Sequence, residues 1–239
     1  MRSPLSEQTT VATLLALTFT AGLIDAVCFL RLGHVFVANM TGNIVFLGVS
    51  LANAAGRTAL GTLVSLAAYL FGAATGGRLW RLLGHRPRSW HTAVWGLHGL
   101  LLLAAAILAW TAPLGKQLGA TSAFIALLAV GFGMQNATVR IMGVADLTTT
   151  VLTATITQLA SESRFGTGAK PKPWRKIASI SMIALGAGTG ALLLRTFAAG
   201  TATAGVTGFA AVLVTCVALV YAFAPMRAEE PQAAAPRPS

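Results

Sequence analysis

GLIDAVCFLRLGHVFVANMTGNIVFL, residues 22–47, decides how the chain folds, because GFGMQNATVRIMGVADLTTTVLTATITQLA, residues 131–160, repeats its plan. Asp25-Ala26 answers to Asn136-Ala137, Leu32-Gly33 to Met142-Gly143, and Thr41-Gly42-Asn43-Ile44 to Thr153-Ala154-Thr155-Ile156. The offset drifts slightly, as in copies that have acquired small insertions. Each copy interrupts an apolar run with a short polar patch rich in Gly or Thr. Hydrocarbon tolerates such a patch only where protein covers it or a wet cavity adjoins it. The pair is therefore the expected functional centre.

The rest of the chain supports a lipid setting. Its 239 residues are 55% hydrophobic and 10% charged, with a mean hydropathy of +0.73. Soluble domains carry about 25% charged residues. A net charge of +11 raises the question of nucleic acid. The basic residues, however, sit in short loops between apolar runs of about 20 residues, the pattern of cytoplasmic loops in membrane proteins. No basic face with interleaved aromatics is present, so nucleic acid is not an expected partner. Cys28 and Cys216 lie far apart inside apolar runs and read as small hydrophobes. The first apolar run is too long for a signal-peptide core and contains the motif itself.

Eight apolar segments can be drawn: 10–31, 36–54, 57–80, 90–111, 120–141, 146–162, 175–196 and 203–224. The first four map onto the last four, giving a first repeat over 1–115 and a second over 116–224. Gly72, Thr75 and Gly76 in the third segment answer to Gly186, Thr189 and Gly190 in the seventh. The tail 225–239, with Glu229, Glu230 and several Pro and Ala, reads as disordered and cytoplasmic.

Charge then fixes the topology. Loop 78–88 carries Arg78, Arg81, Arg86 and Arg88, and loop 162–176 carries Arg164, Lys170, Lys172, Arg175 and Lys176. Both belong in the cytoplasm by the positive-inside rule. Three segments separate them, so one of the three cannot cross. Segment 146–162, the shortest and richest in Thr, is the expected exception. If its partner 36–54 also enters and returns, six spans remain, with both termini inside and only Arg31, Arg57, Lys116 and Arg195 outside. Seven spans with the N-terminus outside divide the charge equally well, and the duplication decides between the two. Each half then holds an odd number of spans, which inverts one half relative to the other. The expected fold is an all-α polytopic membrane bundle, an inverted repeat of six spans plus two re-entrant or broken segments, a plan common among transporters.

Few residues can carry chemistry. Of the acidic residues, only Asp25 and Asp146 fall in or beside a membrane segment. A carboxylate at the bilayer centre costs about 2.5–3.5 kcal/mol on insertion scales, so it pairs or lines a polar path. For Asp25 the plain alternative is a structural hydrogen bond or an ion pair, with Arg140 as a candidate partner. Asp146 before a Thr run also reads as a helix N-cap. Asn39, Thr41, Gly42 and Asn43 would form the turn of the first broken segment, with Thr149, Thr150 and Thr153 in the second. A returning limb that starts near the midplane aims free N–H groups at the cavity, which suits a polar or anionic solute. The same Thr and Asn residues also serve simply to satisfy backbone and pack helices. Gln135 and Asn136 stand where Asp25 stands in the first copy.

Other features read more plainly. Arg31 and Arg140 sit near segment ends, as snorkelling residues do. The paired glycines are small-residue helix contacts, with a homodimer through the third and seventh segments as one further option. Trp80, Trp90 and Trp174 flank the basic loops like interfacial anchors. The four His show no ligand constellation, so no metal or other cofactor is expected. No nucleophile elbow, His-Glu-x-x-His or phosphate-cradling loop occurs, and no enzyme activity is expected.

The two quoted motifs resemble the YoaK-type family of bacterial integral membrane proteins, a domain of unknown function. The resemblance covers nearly the whole chain except the tail. It implies an inner-membrane protein of six spans, loosely linked to small-metabolite export, and implies no site residues. The expectation is thus a transporter or facilitator of a small polar, even anionic, metabolite. Its alternatives are a passive channel of the same architecture and a non-transporting scaffold or regulatory subunit. Single cysteines at Arg86 and Lys170 in a Cys-less background test the topology. Both should resist a membrane-impermeant thiol reagent until cells are opened; labelling of position 170 from outside would make segment 146–162 a full span.

Overall fold

The structure is a computed structural model, and it describes residues 3–143, 152–162, 173–197 and 199–225. The described residues form eight helices and no strand: α1 Glu7–Arg31, α2 Met40–Ala52, α3 Gly56–Leu83, α4 Pro87–Thr111, α5 Leu118–Met142, α6 Leu152–Ser161, α7 Pro173–Thr196 and α8 Ala199–Phe223. Each falls on one of the eight apolar segments. All but α2 and α6 are long and apolar enough to cross a membrane. At 1.5 Å per residue α2 spans about 20 Å and α6 about 15 Å, short of the roughly 30 Å of a hydrocarbon core. Leu70, Phe71, Leu100, Trp110 and Leu192 face outward, an apolar exterior that only lipid would cover.

Local signals set the helix ends. The Ser6 hydroxyl accepts from the Thr9 N–H at 3.2 Å and caps α1. Pro87 opens α4 from the first turn. Gly33 after α1 and Gly143 after α5 both take left-handed backbone, with φ of 86° and 60°, so the two copies stop their opening helices in the same way.

The helices associate as three close pairs: α1 with α7, α3 with α5, and α4 with α8. In the first pair the helices run the same way. Glu7 at the start of α1 meets Arg175 at the start of α7, and Arg31 at the end of α1 donates to the Leu194 carbonyl at 2.5 Å. In the second, Gly61 meets Ile125, Gly72 meets Val130 and Gly76 meets Met134, again in parallel. In the third, Gly99 faces Thr215 while Gly208 faces Ala106, so α4 and α8 are antiparallel. Arg88 at the start of α4 accordingly donates to the Ala224 carbonyl beyond α8. The end of α1 lies where α3 and α5 begin, because Gly33 approaches Thr58 and Gly115 approaches the Arg31 carbonyl. Equivalent helices of the two sequence motifs, α1 and α5, therefore run in opposite directions. So do α3 and α7, and α4 and α8.

Glycine lets the parallel pairs interlock. A methyl at Gly22 of α1 would overlap the Ile183 carbonyl oxygen, and one at Gly186 of α7 would overlap that of Phe19. On the other side Gly72 of α3 meets the Val130 carbonyl and Gly133 of α5 meets that of Tyr69. Gly72, Gly76, Gly186 and Gly190 thus have their partners inside the chain. The α1–α7 and α3–α5 pairs make no extensive contact with each other, and each bears on α4 or α8 instead.

One reading changes. Trp90 is not an interfacial anchor: it is buried, its ring 4.7 Å from that of Trp80 and 4.3 Å from His91. It opens the inward stripe of α4 that continues through Val94, Trp95, His98 and Leu102. Trp174 does stay exposed. The tail beyond residue 225 lies outside the described residues.

Overpacking a well-fitted contact costs about 1–3 kcal/mol. Gly72→Ala and Gly186→Ala should each lower thermal stability in detergent by that order. Gly77→Ala and Gly188→Ala, on the same helices but facing open space, should be neutral or gain up to about 1 kcal/mol. An equal response from all four would remove close backbone approach as the cause.

Candidate functional site

The site is built on the break between α1 and α2. Gly33 and His34, both at positive φ, turn the chain back after α1, and residues 32–39 run inward without helical structure. Nothing in hydrocarbon would satisfy the polar backbone there, so the protein must. Asp25 Oδ1 accepts from the N–H groups of Val37 at 2.8 Å and Ala38 at 2.9 Å. Asn43 Oδ1 accepts from the Phe36 N–H at 2.9 Å, and its Nδ2 donates to the Phe36 carbonyl at 2.6 Å and to Ser65 Oγ at 3.1 Å. Ser65 Oγ also donates to the Phe36 carbonyl at 2.6 Å. Asp25 stands six residues before the end of α1, about 9 Å deep by helical rise, so the loop reaches that depth before α2 carries the chain back.

Asp25 is 7% exposed, and among the described residues it makes no pairing with Lys, Arg or His. Arg140, its candidate partner, is exposed at the end of α5. Asp25 takes N–H groups of the entering loop, not those of the first turn of the returning limb, where Asn39 caps α2 without a side-chain hydrogen bond.

Beside the break lies a cavity of about 860 Å³. Asp25, Asn39, Thr41, Tyr69 and Thr153 supply its polar wall, and Phe29, Phe36 and Met40 an apolar one. Across from them, α7 presents Ile183 and the small residues Ala184, Ala187 and Ala191. The space therefore opens between the α1–α7 pair and Tyr69 of the α3–α5 pair. None of the described lining residues is basic.

The structure separates the predicted site residues. Asp25, Asn39, Thr41 and Thr153 converge on the cavity. Gly42 does not line it; a methyl there would press on the Phe36 ring at 2.7 Å. Asn43 is fully buried behind the loop it pins. Asn136 stands one bond back, joined to the Tyr69 side chain. Asp146, Thr149 and Thr150 lie outside the described residues. Tyr69 had escaped notice, although it is one of only two tyrosines and sits one turn before Gly72.

Gln135 belongs elsewhere. It is fully buried, and neither Oε1 nor Nε2 has a partner. The same holds for both ring nitrogens of His98 and the hydroxyl of Thr138. Gly131, Gln135 and Thr138 share one face of α5, and the His98 ring lies against Gly131. In the register that matches Asp25 to Asn136, the first copy has Ile24 and Val27 in place of Gln135 and Thr138, both buried.

Comparison with known proteins agrees with this architecture. Residues 13–220 match the family described as a protein of unknown function, DUF1275. The chain belongs to that family. It is 30% identical over 150 residues to the UPF0700 transmembrane protein YoaK of Bacillus subtilis (strain 168), covering 61% of this chain and 64% of YoaK. The matched part is thus less than two thirds of that relative. No solved structure matches the chain. The resemblance read from the two motifs holds, and the chain is a multi-pass membrane protein.

The two buried amides make a contrast that can be measured. Asn43→Leu strips the Phe36 N–H of its partner and should cost about 1–3 kcal/mol. Gln135→Leu removes polar atoms that had no partner and should leave thermal stability unchanged or raised. A large loss for Gln135→Leu would show that those atoms are bonded in the membrane.

Proposed function

We propose that the chain is a carrier or facilitator of a small polar solute in the bacterial cytoplasmic membrane, with both termini in the cytoplasm. The cavity beside the break, with Asp25 on its wall, carries this reading. Such a carboxylate is costly at membrane depth, and Asp25 is placed where a solute can reach it. An anion falls outside the proposal, because Asp25 would repel it and no basic side chain is among the described residues of the wall.

The opposed directions of α1 and α5, α3 and α7, and α4 and α8 support an inverted duplication, with 1–115 and 116–224 as its halves. Two interlocked pairs that meet chiefly through α4 and α8 are the parts that would rock about the cavity to alternate access. Asp25 is also the natural candidate for coupling to protons.

The test is flux in proteoliposomes across a panel of small polar solutes. Ala184→Trp fills the cavity wall and should lower saturable uptake by about tenfold or more, whereas Gly188→Trp on the same helix faces open space and should not. Uptake that survives Ala184→Trp would mean the cavity is not the route. Absence of uptake for every solute, with a stable co-purifying partner, would favour a scaffold.

A further inference from the structure

The geometry points to an organic cation, an amine carried on a compact apolar body, as the solute this cavity takes. The inference rests on the reading that the cavity binds a solute, and it adds the charge and shape of that solute.

Asp25 is the only charged residue among the described residues of the wall. Its Oδ1 is fixed by two backbone N–H groups, so the carboxylate is held in place before any solute arrives. These are dipoles, and they leave its charge without a counter-ion in a site that is 7% exposed. A buried carboxylate gains most from a cation brought within hydrogen-bonding reach. An anion there would meet like charge with no basic side chain to offset it.

The aromatic wall agrees. Phe29 and Phe36 stack with centroids 5.4 Å apart and planes 19° from parallel, and Tyr69 joins them in lining the cavity. Aromatic rings attract ammonium groups through their negative faces, most strongly where water is excluded. Beyond them Ala184, Ala187 and Ala191 make a smooth apolar surface that suits hydrocarbon and offers no hydrogen bond. At the place that answers to Asp25 the second copy has neutral Asn136, already joined to Tyr69. The described wall therefore offers one negative charge, matched to a single ammonium group.

Three probes with one body and different heads test this: 2-phenylethylammonium, 2-phenylethanol and phenylacetate, titrated calorimetrically at neutral pH into the full chain in nanodiscs of zwitterionic lipid. The ammonium should bind saturably and about tenfold or more tighter than the alcohol, with no saturable binding of the acid. Asp25→Asn keeps a carbonyl oxygen for the Val37 and Ala38 N–H groups, so the loop should stay in place. It should erase the preference for the ammonium and leave the alcohol unchanged. Phe29→Leu should weaken the ammonium more than the alcohol. Equal binding of the three probes, or full ammonium affinity in Asp25→Asn, would overturn the cation assignment. In that case alcohol binding that Ala184→Trp abolishes would leave the cavity reading intact. No saturable binding of any probe would overturn both.

Discussion

A peptide chain cannot leave helical form inside a bilayer unless something else bonds its backbone. Residues 32–39 do leave it, and two side chains make that tolerable. Asp25 reaches forward to the N–H groups of Val37 and Ala38, and Asn43 reaches back to both polar groups of Phe36. Without them the cheapest solution would be a continuous helix, and α2 would have no reason to start at depth. The cavity exists because this break exists. Its one charged residue among those described is also half of the clamp that holds the break, so the structural and the solute-facing readings of Asp25 concern the same carboxylate rather than competing.

Rigidity is unevenly distributed around that break. Within the α1–α7 and α3–α5 pairs, glycines bring backbone against backbone, and such contacts have no slack to give. Between the pairs lie the cavity and the α4–α8 pair, on which each bears. A bundle built this way has stiff parts and a soft joint, and the joint is where the polar groups are. That arrangement follows from where glycine sits: Gly22, Gly186 and Gly190 serve one pair, while Gly72, Gly76 and Gly133 serve the other.

How much of this was legible beforehand depended on which physical signal each residue leaves. The break was visible because polar residues in an apolar run are expensive and therefore conspicuous. Charge counting, which is global and insensitive to register, required one segment between the basic loops not to cross, and the duplication extended that to segment 36–54. What stayed hidden was direction. In a soluble helix the polar face marks the outside, but here lipid and core are both apolar, so composition does not say which way a side chain points. Asn43 and Gln135 looked like wall residues by type, yet Asn43 points behind the loop and Gln135 into an α5 face toward His98. Trp90 looked interfacial by position, yet it begins the buried stripe of α4. Tyr69 was overlooked because its segment has no polar cluster; only the tertiary pairing brings it beside Asp25.

The two copies, read as a duplication, have since parted company in chemistry while keeping their backbone contacts. Close-packed positions kept glycine: Gly22 corresponds to Gly133, Gly72 to Gly186 and Gly76 to Gly190. Polar positions did not keep their residues. Asp25 faces Asn136 across the register, Ile24 faces Gln135 and Val27 faces Thr138. Backbone approach tolerates no side chain, so those sites could not drift. A second carboxylate one bond behind the wall would still raise the cost of Asp25's charge, so a symmetric pair of aspartates is disfavoured. Divergence at that position is what those electrostatics favour. The uncharged amide then became free to bond Tyr69, tying the second half's answer to Asp25 into the wall opposite it.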